Sequence, residues 1–224
     1  MRPEIVCRLP FAVCLMTKLI LASASPRRAE LLLRLGFPFE TMPSGASEDL
    51  SEALLPTQHV LEIAKRKTQA VATKAQNAIV IGADTVVVIN NTILEKPRDA
   101  NHATEMLTML SGKTHQVLTG LVLTNTNTSQ THTDVAITQV TMRTLTPHDI
   151  QRYVATGDPL DKAGAYAAQG LSAIFIESIS GCFYNVVGLP LTKLWTMLHT
   201  VCGQSPWSYI SQSHTTPDLL STPQ

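Results

Sequence analysis

Arg27, Arg28, Lys67, Lys96 and Lys162 supply five cations and Glu48 and Asp84 two carboxylates, each at an element end or on an unexpected face. Such a set suits phosphoryl chemistry. Cations neutralise phosphate oxygens, while carboxylates hold a hard divalent metal or accept a proton from an attacking water. Taken singly, each of these residues is more often a surface charge. Asp84 stands apart because it interrupts an apolar strand region, in the run IGADT. A buried carboxylate is costly unless it is paired or bound to metal.

The elements that must position these groups can be read from spacing. Leu19 to Arg28, LILASASPRR, is a short apolar strand that passes through small hydroxyl residues into a helix opening at Ser25-Pro26. Ser25 is placed to cap free N–H groups, Pro26 suits the first helical position, and the positive end of the helix dipole favours an anion. Two arginines where the dipole disfavours cations make sense if a phosphate chain lies between them and the helix. A plain connection with two solvated arginines reads equally well from this segment alone. Ala29, Leu32, Leu33 and Gly36 follow helical spacing, with Gly36 as the stop. After a polar, acidic connection over 41–56, a helix is expected over 57–75 with Val60, Ile63, Ala64 and Val71 inward. Lys67 falls on that same stripe. It either snorkels to water or points its ammonium into a cleft.

A short strand over 78–81 leads into Gly82-Ala83-Asp84-Thr85, and 86–89 with 92–95 reads as a hairpin turning at Asn90-Asn91. A helix with Ala103, Met106, Leu107 and Leu110 inward stops at Gly112. Strands follow over 114–124 and 132–143, and Thr146-Pro147 caps a helix that ends near Gly157. The segment DPLDKAGAYAAQG, 158–170, has the small and special residues of a working loop. A strand over 173–177, a glycine-bearing turn and a helix from Pro190 to about Val201 complete the core. Strands and helices in this order imply an α/β architecture.

Composition excludes several classes. At 224 residues and 44% hydrophobic content the chain can bury one large domain, or one domain with a small lobe. Lys+Arg and Asp+Glu both number 17, so no overall field argues for nucleic acid or an anionic membrane as partner. Cys7, Cys14, Cys182 and Cys202 show neither CxxC nor zinc spacing, which fits reduced thiols in a cytoplasmic protein. No run approaches the ~18 apolar residues of a membrane span. The signal-like N-terminus is rejected, since Pro10 and Lys18 break its apolar stretch and cleavage after Ala24 would remove the first strand. Residues 1–16 are expected as an extension or a mis-assigned start, 17–203 as the domain, and 204–224 as a polar tail. Ser111-Gly112-Lys113-Thr114 imitates a P-loop but lacks the earlier glycine and the strand-loop-helix order. There is no HExxH and no GxSxG.

The motifs SASPRR (23–28), GADT (82–85), EKP (95–97), DKAGAYAAQG (161–170) and NVVGLPL (185–191), in that order, resemble the Maf family of nucleoside triphosphate pyrophosphatases over roughly 19–201. The resemblance implies a mixed sheet flanked by helices around a deep cleft, related to the inosine triphosphate pyrophosphatases. It also implies hydrolysis of a nucleoside triphosphate to monophosphate and pyrophosphate, a divalent metal such as Mg²⁺ or Mn²⁺, and a homodimer. Carried over by motif, Asp84 is the proton acceptor and, with Glu48, a metal ligand. Arg27, Thr85 and Gln169 set substrate choice, and Ser23, Arg28, Lys67, Lys96 and Lys162 line the phosphate cleft. GADT followed by DKAGAYAAQG looks like the branch acting on dTTP and UTP. The Thr85 hydroxyl and Gln169 amide can together read the O4, N3–H and O2 edge of uracil or thymine. Ala168 and Cys182-Phe183 depart from the family pattern, at positions that bear on the pocket wall rather than on a catalytic group. Two other readings are a modified-purine triphosphate pyrophosphatase and a non-catalytic nucleotide-binding regulator of division. Asp84 and Lys96 count against the regulator, since pure binding needs no water-activating carboxylate.

Overall fold

Among the described residues seven strands form one mixed sheet in the order β2 (Phe39–Thr41), β1 (Lys18–Leu21), β3 (Ala78–Ile89), β5 (Thr114–Asn125), β6 (Gln130–Met142) and β7 (Ile176–Ser180), with β4 (Thr92–Leu94) paired to β3 off that path. The computed structural model describes residues 17–50, 54–203 and 205–210. The expected extension over 1–16 and most of the expected tail lie outside the described residues. β1 (Lys18–Leu21) runs parallel to β2 (Phe39–Thr41) and to β3 (Ala78–Ile89). β4 (Thr92–Leu94), β5 (Thr114–Asn125), β6 (Gln130–Met142) and β7 (Ile176–Ser180) join antiparallel. The helices are α1 (Pro26–Arg34), α2 (Pro56–Ala72), α3 (Ala100–Leu110), α4 (Pro147–Val154), α5 (Phe183–Val187) and α6 (Leu191–Cys202).

β3 is buried at every position but the partly exposed Thr85, as a central strand covered on both faces should be. The expected short strand and hairpin arm are therefore one continuous strand of 12 residues. Gly82 and Asp84 do not interrupt it, because they pair with Val122 and Gly120 of β5. Asn90 and Asn91 make the turn to β4 with φ of 49° and 62°, the left-handed pair that a tight hairpin requires.

α2 packs on one face of the sheet at very close range. A Cβ at Gly82 would meet Thr68 Oγ1 at 2.0 Å, and one at Gly120 would meet the Val60 carbonyl oxygen at 2.4 Å. The two glycines are what allow the helix so near. On the opposite face, α1 and α6 cover Ile79, Ile81, Ala83, Leu121 and Leu123, while α3 and α4 cover Val87, Ile89, Val117 and Val140. Thr85 and Thr119 fall at the seam between these two apolar clusters.

Other expectations shift in detail. The strand expected over 173–177 starts at Ile176, preceded by a 3-10 turn over Leu171–Phe175. β2 and α5 were not anticipated. Ser25 stands at the N-cap of α1 but makes no capping bond; its own N–H donates instead to Ser23 Oγ.

Candidate active site

The pairing of β1 with β3 starts at Lys18 and Ala78 and ends at Leu21 and Ile81, and β4 begins to pair only at Val87. Between these partners, residues 82–86 keep β5 on one side and have no paired strand on the other, and Asp84, Thr85 and Val86 border open space there. A cleft of about 650 Å³ occupies that gap. One bank is the turn into α1, with Ser23, Arg27 and Arg28; the other carries Glu95 and Lys96 beyond β4. Because side chains alternate along a strand, Asp84 faces α2 and Thr85 the opposite side, and both border the cleft.

Lys67 settles the choice left open by its place on the helix stripe. Its Nζ lies 2.7 Å from Asp84 Oδ1 and 2.7 Å from Glu48 Oε1, with the Lys67 and Asp84 side chains each 10% exposed. The ammonium thus compensates two carboxylates at the cleft floor. Asp84 Oδ2 makes no hydrogen bond to another described residue and is not sealed from the cleft. Partial burial acts to raise the Glu48 carboxyl, but the Lys67 bond and charge, with Lys96 and Arg28 beyond, hold it below its ordinary value.

The two arginines of SASPRR part company. Arg28 is buried and donates through Nε to the Gly188 carbonyl at 2.8 Å, through Nη1 to Ser23 Oγ at 3.1 Å and through Nη2 to Thr85 Oγ1 at 3.0 Å. Burial lowers its pKa, opposed by the charges of Asp84 and Glu48. It therefore ties three walls of the cleft together. Arg27 instead reaches across the opening to Asp161, 3.3 Å from Oδ2. Lys162, on the same loop, is held by Asp158 and Asp161 at 3.0 and 2.7 Å.

Residues 18–201 match the Maf-like protein family. The chain belongs to the Maf family. It is 51% identical over 185 residues to the dTTP/UTP pyrophosphatase of Escherichia coli, covering 82% of this chain and 92% of the relative. It is 49% identical over 179 residues to that of Desulforamulus reducens, covering 80% and 94%. The corresponding figures for the Salmonella typhimurium protein of that name are 50% over 184 residues, 82% and 92%.

In this Maf cleft, Ser23, Arg27, Arg28, Glu48, Lys67, Asp84, Thr85, Lys96 and Lys162 all line the walls. Gln169 does not: it is half-buried, and its loop contributes lining only as far as Ala167. Glu48 and Asp84 are hard oxygen donors within reach of one cation, and among the described residues no set of three or more His, Cys, Asp or Glu gathers around a point. Two carboxylates suit an ion that completes its shell with water and phosphate oxygens, as Mg²⁺ does.

Four residues lining the Maf cleft went unflagged by sequence reasoning. His59 and Glu95 lie 3.6 Å apart. Tyr166 lines the wall with its hydroxyl 2.6 Å from His115 Nε2. Asp161 holds both Arg27 and Lys162. Of these, Glu95 and Asp161 left a signal, each an acid directly before a candidate lysine.

Proposed function

We propose that this chain hydrolyses dTTP and UTP to the nucleoside monophosphate and pyrophosphate. The observation that carries the reading is the Lys67-bridged pair of Glu48 and Asp84 at the floor of a cleft walled by Arg27, Lys96 and Lys162. The names of relatives at about half identity support the substrate class.

In this reading the triphosphate lies along the cationic walls, and water enters beside Asp84 Oδ2. Its proton passes to that oxygen as the water oxygen bonds to phosphorus and the α–β anhydride bond breaks, releasing pyrophosphate. Lys67 holds the other carboxylate oxygen and so fixes the face that Asp84 turns to water. Arg27, Lys96 and Lys162 offset charge that shifts toward the leaving group, so most of the acceleration is electrostatic. Glu48 and Asp84 would hold a divalent cation, which would further neutralise phosphate oxygens. Thr85, which borders the cleft, is the residue we assign to the base, and Gln169, outside the cleft lining, is given no contact. The family resemblance carries with it a cytoplasmic homodimer and a catalytic unit over 17–203.

Pyrophosphate release from dTTP, UTP, CTP, ATP, GTP and a deaminated purine triphosphate, with Mg²⁺ or Mn²⁺, tests this. dTTP and UTP should lead the panel. Release only from the purine would transfer the chain to a different substrate class, and release from none would leave a binding protein.

A further inference from the structure

We infer that Thr119 is a positioning residue for base recognition, locking the Thr85 hydroxyl so that Thr85 presents an acceptor, not a donor, to the cleft. This rests on the reading above that Thr85 meets the base. Thr119 lies on β5 directly opposite Thr85 in the register, is fully buried, and shares a 2.9 Å hydroxyl contact with it. It does not line the cleft and acts through Thr85 alone.

The polarity follows from the ends of a chain of four groups. Arg28 Nη2 lies 3.0 Å from Thr85 Oγ1, and a guanidinium can only donate. At the other end Thr119 Oγ1 lies 3.4 Å from the Asn185 carbonyl oxygen, which can only accept. Assigning the single Thr119 proton to that carbonyl, which also accepts from the Gly188 N–H at 3.0 Å, makes the contact between the threonines a donation from Thr85 to Thr119. With its own proton engaged and one lone pair taken by Arg28, Thr85 keeps one lone pair for a ligand. Such chains polarise along their length. The far end is pinned, since buried Asn185 donates through Nδ2 to the Val117 carbonyl and to Thr138 Oγ1, both at 3.0 Å.

Uracil and thymine carry N–H at ring position 3, where cytosine carries a bare lone pair. A hydroxyl fixed as acceptor pairs with the first two and opposes the third. Removing the Thr119 oxygen frees the Thr85 proton to turn toward the cleft, where it can serve cytosine as well.

The test is kcat/KM for UTP and CTP in the full chain carrying Thr119→Val, Thr119→Ser or Thr85→Val, each with a thermal melt. Thr119→Val should lower the UTP-to-CTP ratio about tenfold, the size of one mispaired hydrogen bond. The change should fall mainly in KM, and Thr119→Ser should keep the wild-type ratio. An unchanged ratio in Thr119→Val overturns the inference, as does an equal loss on both nucleotides that Thr119→Ser does not restore. If Thr119→Val does not fold, Thr119→Cys, with only a weakly accepting sulfur, is read by the same ratio and the same two outcomes. An unchanged ratio in Thr85→Val removes the base reading of Thr85 itself, and this inference with it. A changed ratio there with an unaltered Thr119→Val overturns the positioning role alone.

Discussion

Lys67 and Asp84 meet between α2 and β3 with Nζ and Oδ1 2.7 Å apart, and each charge makes the burial of the other tolerable. Lys67→Met removes the ammonium and leaves Asp84 unpaired at the cleft floor. Breaking a buried pair from one side costs roughly 3–5 kcal/mol. Denaturant unfolding should show a loss toward the lower end of that range, because the cleft admits water. Turnover should fall by about 100-fold or more, since in the proposed mechanism Lys67 orients the proton acceptor.

The close seat of α2 is a second point of leverage. Gly120→Ala brings a Cβ to 2.4 Å from the Val60 carbonyl oxygen and 2.8 Å from the Leu61 nitrogen, both backbone atoms that no rotamer change can move. Overpacking of this kind costs about 1–3 kcal/mol. Lys67 rides on the same helix, so thermal melting and turnover should decline together. A melt lowered with full turnover would show that the Lys67 contact does not depend on this seat.

Arg27 offers the opposite behaviour. Its partner Asp161 has a side chain 67% exposed. Such surface pairs contribute about 0–1 kcal/mol. Arg27→Ala should therefore leave the melt nearly unchanged while raising KM for UTP by about tenfold, through loss of a cation that the proposed mechanism places on phosphate.

His115 gives the stability a defined pH window. Burial lowers its pKa from 6.5 to about 4. Nδ1 has no partner among the described residues, so a proton there would place a charge in apolar surroundings. Between those two values the unfolded chain takes up a proton that the folded one refuses. The contribution is full above pH 6.5 and declines as pH falls toward 4, by up to about 3 kcal/mol. Depressed carboxyls such as Glu48 and Asp149 act from the acid end of this window downward, as pH falls through and under their ordinary values of 4.5 and 3.8. Unfolding of His115→Gln at pH 7 and pH 5 should show a smaller difference than wild type.

Much of this arrangement can be read from the chain, and the remainder depends on contacts that spacing does not encode. The inward position of Lys67 is plain from the stripe of α2, but its target is set by how closely Gly82 and Gly120 let α2 approach the sheet. Gly82 also makes β3 look broken, because a missing side chain reads alike whether it marks a turn or a close neighbour. β2, with 3 residues, and α5, with 5, are too short for any period to declare them. Arg27 and Arg28 look equivalent in sequence, yet one is a buried tie between walls and the other spans the opening. Thr119 sits among strand residues with nothing to mark it, and only the register opposite Thr85 gives it meaning.

Asp84→Asn tests the central claim most directly, since it keeps the shape of the side chain and removes its ability to take a proton. Turnover of UTP and binding of a non-hydrolysable α,β-methylene analogue should be measured on the same folded sample. The expected result is turnover lowered by about 1000-fold or more, with analogue affinity within about tenfold of wild type. Turnover within tenfold of wild type would contradict the assignment of Asp84 as proton acceptor.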